Sequence, residues 1–252
     1  MLRSVKDLKG LAIGARDGDV GKAVDFIFDD KAWTIRYVVA DTGGWLTDRR
    51  VLISPISIIQ ADWESKRLPV SLTKAQVTDC PDINSDDRFS RRDEMKYYDY
   101  YGWPYYWLGG GLWGPGIIPG ELASAHRERE SFLPEENEEN IDQTYLRSVR
   151  EVTDYYIQAE DGDVGHVEEF MIDDEAWVIR YMVVDTRNWW PGKKVLVAPE
   201  WIERVDWRNS KVYVDLSREQ IKNGPEFDAD RLNNRDCELT PYEHHGRAKY
   251  WS

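Results

Sequence analysis

Aspartates that recur along the chain have the clearest capacity for chemistry. Carboxylates can ligate a metal ion or exchange protons with a substrate, and clusters of them are typical of both kinds of site. The recurring acids are Asp17, Asp19, Asp29, Asp30 and Asp41, and then Asp161, Asp163, Asp173, Asp174 and Asp185. Their types alone allow either a binding site or a purely structural role.

The sequence Asp-Gly-Asp-Val-Gly, which begins at Asp17 and again at Asp161, is similar to part of a calcium-binding loop. An EF-hand loop needs an acidic ligand at its twelfth position. That position is Phe28 in one copy and Ile172 in the other, so the ligand set is incomplete. Asp and Gly are also the residues that tight turns favour. The positions predicted to form turns are Asp17, Gly18, Gly21, Asp161, Gly162 and Gly165.

Histidine and cysteine suggest no catalytic site either. The adjacent His244 and His245 supply two ligands, fewer than the three or four of a zinc site. Cys80 and Cys237 lack C-x-x-C spacing and are interpreted as free thiols. The sequence has no P-loop, G-x-S-x-G, G-x-G-x-x-G or H-E-x-x-H motif. We therefore predict no catalytic residue, no metal site and no cofactor.

An internal duplication relates the two halves of the chain. Leu2-Arg-Ser-Val matches Leu146-Arg-Ser-Val, and the same offset of 144 positions holds without a gap to Pro81 and Pro225. About two-fifths of the aligned positions are identical. Four regions follow: repeat 1 (1–81), a linker (82–145), repeat 2 (146–227) and a C-terminal tail (228–252).

Each repeat is predicted to be a small β-barrel. Runs rich in β-branched and aromatic residues begin at Trp33 and Trp177, which is typical of largely buried strands. Thr73 and Ser217 are placed to cap a short helix that ends before Pro81 or Pro225. Short strands at close spacing with little helix predict an all-β fold of two barrels, each with a short C-terminal helix.

Two further pairs of retained positions are assigned structural roles. Arg36 and Arg180 lie inside apolar strands, where a charged side chain requires a partner. We expect them to pair with a retained carboxylate such as Asp41 or Asp185, the acids that end these strands.

The linker begins with an unusual concentration of aromatic residues between positions 97 and 116. Its glycines and prolines predict an irregular segment. Tyr and Trp are enriched at protein interfaces, so the segment could be a binding segment, a cover over apolar barrel surface, or disordered. An aromatic strip left in water would be a large exposed patch, so we favour a cover or self-association over a ligand site. The candidate interaction residues are Tyr97, Tyr98, Tyr100, Tyr101, Trp103, Tyr105, Tyr106, Trp107 and Trp113.

Charge and hydropathy narrow the classes of partner. The formal net charge of −14 weighs against a general nucleic-acid binder, because phosphate neutralisation dominates that affinity. The uncharged stretch of residues 102–120 contains three prolines and cannot form a membrane span. The N-terminus lacks the pattern of a secretory signal, so a cytoplasmic location, or one peripheral to the inner membrane, is expected. Residual strand edges and the aromatic linker predict homo-oligomerisation.

The order of motifs in both copies resembles the PRC-barrel family. The pattern is a D-G-x-V-G turn, a V-x-D-F-x-F-like strand, a D-D break and W-x-I-R-Y-x-V-x-D-T. The family includes the cytoplasmic domain of the photosynthetic reaction-centre H subunit and a ribosome maturation factor. The sequence also resembles stand-alone bacterial proteins with two such barrels.

The resemblance implies a non-catalytic interaction or scaffold module that binds a protein partner, as yet unidentified. Two alternatives follow from the same family. One is an accessory of a photosynthetic or related membrane electron-transfer complex, and the other is a ribosome-assembly factor acting through a ribosomal protein. An enzyme ranks below all of these, because the sequence supplies no catalytic motif.

Overall fold

The computed structural model describes residues 1–46, 49–81, 90–124, 145–186, 193–228 and 241–249. They pack into two compact units. Unit A consists of Asp7–Ser148 and Glu175–Val178. Unit B consists of Met1–Lys6, Val149–Asp174 and Ile179–Ser252.

Strands dominate both repeats, which confirms the all-β fold class. Repeat 1 contains β1 (Leu2–Ser4), β2 (Ala12–Ala15), β3 (Gly18–Asp29), β4 (Thr34–Asp41), β5 (Arg50–Ile53) and β6 (Arg67–Pro69). Repeat 2 contains β7 (Leu146–Ser148), β8 (Tyr156–Ala159), β9 (Gly162–Asp173), β10 (Val178–Asp185), β11 (Lys194–Val197), β12 (Ile202–Asp206) and β13 (Lys211–Val214).

The helices are short. They are α1 (Val5–Leu8), α2 (Lys74–Thr78), α3 (Arg91–Tyr101), α4 (Pro119–Ser124), α5 (Val149–Val152) and α6 (Arg218–Asn223). Single 3-10 turns span Gly43–Leu46, Pro55–Ser57 and Pro199–Trp201, and residues 241–245 form a further helical turn. The predicted capping is confirmed, because the hydroxyls of Thr73 and Ser217 accept from the N–H of Gln76 and Gln220 at 3.2 Å.

The long strand β3 organises unit A. It pairs antiparallel with β2 and β4, β4 pairs with β5, and β6 runs parallel to β2. Register shifts within β3 bend the strand, as β-bulges do. Seven of the eight residues of β4 are buried, so the predicted burial of this strand is confirmed. Trp33 precedes the strand in a turn with a φ of 50°, and it stacks on Phe28.

The first strand of repeat 2 also lies in unit A. Strand β7 pairs antiparallel with β3, with Leu146 opposite Asp29 and Ser148 opposite Ile27. The N–H of Asp30 extends the ladder by donating to the carbonyl of Tyr145 at 2.8 Å. Unit A is therefore completed by a strand that the sequence assigns to the other repeat.

Unit B shows the reciprocal arrangement. Strand β1 of repeat 1 pairs antiparallel with β9, with Leu2 opposite Asp173 and Ser4 opposite Met171. These pairs are the ones in unit A shifted by the repeat offset. The remaining order also repeats, because β8 pairs antiparallel with β9 and runs parallel to β13. The two repeats thus exchange their first strands.

Candidate functional site

The aromatic segment is ordered along its described length and begins as a helix. The backbone N–H of Ser90 donates to the carboxylate of Asp93 at 3.1 Å, which caps the start of α3. The helix ends at Gly102, whose φ of 71° is left-handed. The prediction of an irregular segment is therefore wrong for residues 97–101. The helix breakers begin only at position 102, and a capped, partly buried helix is stable up to that point.

The nine candidate interaction residues separate into two groups. Four are buried to 2% exposure or less: Tyr97, Tyr98, Tyr106 and Trp113. The indole N–H of Trp113 donates to the carbonyl of Ala176 at 2.9 Å within unit A. The other five are partly exposed: Tyr100, Tyr101, Trp103, Tyr105 and Trp107. One side of the segment thus covers the barrel of unit A, and the other faces outward.

Glu94 is the charged centre of the buried side. Its carboxylate is 2% exposed and accepts from the hydroxyls of Tyr37 and Tyr106, both at 2.9 Å, and from the guanidinium of Arg91 at 2.6 Å. Burial raises the pKa of Glu94, while Arg91 and the two tyrosines oppose that shift. Burial also raises the pKa of Tyr37 and of Tyr106 well above the ordinary value, so both hydroxyls remain donors. This buried network attaches α3 to β4.

Arg36 joins the same network from the barrel side. Its guanidinium lies 3.8 Å from the ring centre of Tyr106 and donates to the carbonyl of Leu112 at 2.6 Å. It also pairs with Asp29 at 3.3 Å. A cation over an aromatic face is attracted by the ring quadrupole, and desolvation strengthens that attraction. Arg36 therefore stabilises the end of the aromatic segment as well as its own strand.

Arg36 and Arg180 each pair with a retained carboxylate, as expected, but the carboxylates are those of Asp29 and Asp173, and the suggested Asp41 and Asp185 need correction. Arg36 pairs with Asp29, and Arg180 pairs with Asp173 at the same distance of 3.3 Å. Asp29 lies opposite Thr34 across the β3–β4 ladder, close to a register shift that brings Arg36 within its reach. Asp41, in contrast, accepts from the N–H of Gly43 at 2.9 Å and shapes the turn after β4.

Asp185, the counterpart of Asp41, is also the last residue of its strand. It ends β10 and is 1% exposed. Trp177, the counterpart of Trp33, precedes β10 with a φ of 58°. Both residues thus lie at the strand ends that the repeat alignment assigns to them.

The Asp-Gly positions lie in turns and contact neighbouring backbone. The carboxylates of Asp17 and Asp161 accept from the N–H of Lys74 and of Arg218, both at 2.7 Å, at the start of α2 and α6. Gly18 and Gly162 begin β3 and β9. A Cβ at Gly21 would lie 2.0 Å from the carbonyl oxygen of Asp41, and one at Gly165 would lie 1.9 Å from that of Asp185. Glycine is required at both positions because the start of β3 or β9 lies directly against the end of β4 or β10.

The described residues meet neither the requirements of a metal site nor those of a helical membrane span. Within these ranges, no group of three or more His, Cys, Asp or Glu side chains is placed to hold a metal ion. In the same part of the chain, no helix is long and apolar enough to cross a bilayer. His126 and Cys237 lie outside the described residues.

The sequence of repeat 1 is similar to that of known proteins. Residues 2–76 match the PRC-barrel domain family. The resemblance inferred from the motifs is therefore confirmed for repeat 1, and its extension to repeat 2 rests on the internal sequence identity. An uncharacterized protein of Deinococcus radiodurans is 39% identical over 69 residues. That alignment covers 27% of this chain and 24% of the relative, so the chain spans about a quarter of the length of the curated relative it matches.

Sequence reasoning missed the residues that attach the aromatic segment to the PRC barrel. Arg91 and Glu94 were not singled out, although their spacing with Tyr98 places all three on one helical face. A charged pair on the aromatic face of a helix would have indicated a buried polar network. Asp29 was counted among the recurring acids, but its pairing with Arg36 depends on the strand register.

Proposed function

We propose that the protein is a non-catalytic interaction or scaffold module that binds a protein partner through the outward side of its aromatic segment. The observation that carries the proposal is the division of the nine rings. Four buried rings hold the segment on the barrel, and five remain partly exposed. The PRC-barrel match of repeat 1 supports the same class of function.

The outward rings form a pre-ordered surface. Tyr101 stacks on Trp103 with centroids 4.5 Å apart, and Tyr105 stacks on Trp107 at 4.7 Å. Tyr100, which is 39% exposed, packs edge-on against Tyr101. Rings that are already fixed lose little conformational entropy on binding, which favours affinity. This surface combines the large apolar area and polar tips that are enriched at protein interfaces.

The charged cluster beneath the surface supports a structural role in place of a catalytic one. Glu94 is saturated by three donors from Tyr37, Tyr106 and Arg91, and it is almost completely buried. A general acid or base must reach its substrate. The photosynthetic and ribosome-assembly alternatives remain predictions from the family resemblance, and no contact among the described residues favours either of them.

The test is affinity purification of the tagged full chain from its native cell beside an outer-face variant. The variant carries Tyr100→Gln, Trp103→Gln and Tyr105→Gln, which leaves the four buried rings in place. A matched control carries Ile59→Gln and Tyr156→Gln, two apolar side chains that are 67% and 54% exposed elsewhere. We expect one protein partner to be recovered with the wild type and the control and to be lost with the outer-face variant.

Two results would contradict the proposal: equal recovery with the outer-face variant, or no partner with the wild type. The mass of the same three proteins in solution, measured by light scattering, distinguishes binding of another protein from self-association. Self-association is the predicted alternative use of the surface. A wild-type mass of one chain at micromolar concentration would exclude a homo-oligomer, whereas a larger mass that falls only in the outer-face variant would identify a second copy as the partner.

A further inference from the structure

The aromatic segment of unit A has a counterpart at the end of the chain. The offset of 144 positions continues beyond Pro81, so that cover segment A (residues 91–107) aligns with cover segment B (residues 235–251) without a gap. The identical pairs are Arg91 and Arg235, Glu94 and Glu238, Tyr98 and Tyr242, Gly102 and Gly246, Tyr106 and Tyr250, and Trp107 and Trp251. In cover segment B the structure describes residues 241–249, and the other positions are compared by sequence alone.

The identities fall on the side of the helix that packs. Arg91, Glu94 and Tyr98 are separated by three and four positions and therefore share one helical face. In unit A that face is buried, with Glu94 at 2% and Tyr98 at 0% exposure. Tyr242, the counterpart of Tyr98, is 1% exposed in unit B. Of these three positions, the one described in both copies is thus a tyrosine on the buried face in each unit.

The backbone of the two cover segments ends its helical turn in the same way. Gly102 and Gly246 have φ angles of 71° and 62°, both left-handed. In each copy the N–H of the next residue donates to the carbonyl of the buried tyrosine at 3.0 Å, from Trp103 to Tyr98 and from Arg247 to Tyr242. A helix end with a left-handed glycine is thus present at the same alignment position twice.

Each cover segment also contacts the equivalent short helix of its own repeat. The hydroxyl of Tyr100 donates to the carbonyl of Gln76 in α2 at 3.0 Å. His244, aligned with Tyr100, has its Nε2 3.4 Å from the carbonyl of Gln220 in α6, and Gln220 is aligned with Gln76. The ring of Tyr242 packs against Tyr181 at 6.2 Å, and Tyr181 is the counterpart of Tyr37.

One difference between the copies is complementary in size. In unit A the segment carries Tyr97 and the aligned barrel position is Ser57. In unit B the segment carries Pro241 and the barrel position is Trp201, which is 2% exposed and packs against Tyr242 at 5.4 Å. Tyr97 is 0% exposed, so a large buried ring comes from the segment in one copy and from the barrel in the other. Swaps that conserve the total buried volume are the ones that packed cores tolerate best.

We propose that the repeat unit is a barrel plus a C-terminal aromatic cover, and that each barrel carries one binding site for such a cover. The ligand of the site is a helical turn with a tyrosine on its buried face and a left-handed glycine four residues later. In this chain both sites are filled by the protein's own segments. The repeats then extend past Pro81 and Pro225, where the barrel identity ends, and residues 241–249 of the C-terminal tail form the described part of the second cover.

A double-mutant cycle on the full chain tests the shared site. Trp201→Ser alone removes the large ring that packs against Tyr242, and Pro241→Tyr alone adds a second large ring next to Tyr242, so both single variants should lower the urea midpoint. The double variant places serine and tyrosine at the positions aligned with Ser57 and Tyr97 of unit A. We expect its midpoint to exceed that of Trp201→Ser, with amide-exchange protection restored in residues 241–249.

The matched control replaces a tryptophan of the same unit that lies outside the site. Trp207 packs against Tyr155. Trp207→Ser combined with Pro241→Tyr should show the sum of the two single shifts. Additive shifts in the Trp201 cycle, or the same recovery in the Trp207 cycle, would overturn the proposal.

Discussion

Arg147 donates to Asp30 at 3.0 Å, and this ion pair fixes the first strand of repeat 2 inside unit A. Its counterpart in unit B is the pair of Arg3 and Asp174 at 2.9 Å. Both pairs are formed between residues more than a hundred positions apart, and both flank an exchanged strand. Each unit therefore depends on residues from both repeats.

Cleavage of the connection between the repeats should leave the two pieces associated. A protease site placed within residues 125–144 leaves most of unit A on the N-terminal piece and most of unit B on the C-terminal piece. Strand β1, which belongs to unit B, stays on the N-terminal piece, and β7, which belongs to unit A, stays on the C-terminal piece. Each unit then holds parts of both pieces. We expect size-exclusion chromatography of the nicked protein to give one peak that contains both fragments, and separation only in denaturant.

Separation of the fragments in native buffer would contradict the strand exchange. Two variants refine the measurement. Arg147→Met leaves Asp30 without its partner in a largely buried site, which costs about 3–5 kcal/mol. Arg3→Met removes a more exposed pair, which is worth about 0–1 kcal/mol. The nicked Arg147→Met protein should therefore separate at a lower urea concentration than the nicked Arg3→Met protein.

Glu94→Gln should destabilise the protein more than any loss of an exposed acid on the same helix. The substitution removes the negative charge that faces Arg91 and Arg36 in a buried site, so we expect a loss of about 3 kcal/mol in the free energy of unfolding. Urea denaturation measures it.

Asp99→Asn is the matched control on α3. Asp99 accepts from the hydroxyl of Tyr105 at 2.9 Å at an exposed position, so its loss should cost at most about 1 kcal/mol. Equal effects of the two substitutions would show that the buried network does not hold the segment on the barrel.

The stability of unit B should fall as the pH falls from 6.5 towards 4. Burial lowers the pKa of His245 to about 4, and its neighbours His244 and Arg247 act in the same direction. The unfolded chain binds this proton more readily than the folded one within that window, so protonation favours unfolding. The ring also packs against Trp201 at 4.9 Å, where a charge would be poorly solvated.

His245→Phe should remove this pH dependence, as measured by thermal unfolding between pH 4 and pH 7. His166→Gln, a substitution on β9 in the same unit, is the control and should leave the pH dependence of the unfolding temperature unchanged. If the unfolding temperature of His245→Phe depends on pH as that of the wild type does, the acid sensitivity belongs to other groups.

Several features followed from the sequence because their causes are local. The Asp-Gly turns, the capped helices α2 and α6 and the buried strand β4 depend on residues that are close neighbours along the chain. The match of residues 2–76 to the PRC-barrel family was visible in the same motifs. The helix α3 was missed because its last residues were grouped with the glycines and prolines that follow.

The tertiary structure decides which distant residues and strands pair with each other. Arg36 has several acids within its repeat, and only the register of β3 against β4 selects Asp29. The exchange of first strands is a stronger case. Residues 2–4 and 146–148 have the identical sequence Leu-Arg-Ser, so either strand could form the same local contacts with β3 or with β9. Identical strands carry no local information about which copy they join, and only the path of the whole chain distinguishes the exchanged pairing from the unexchanged one.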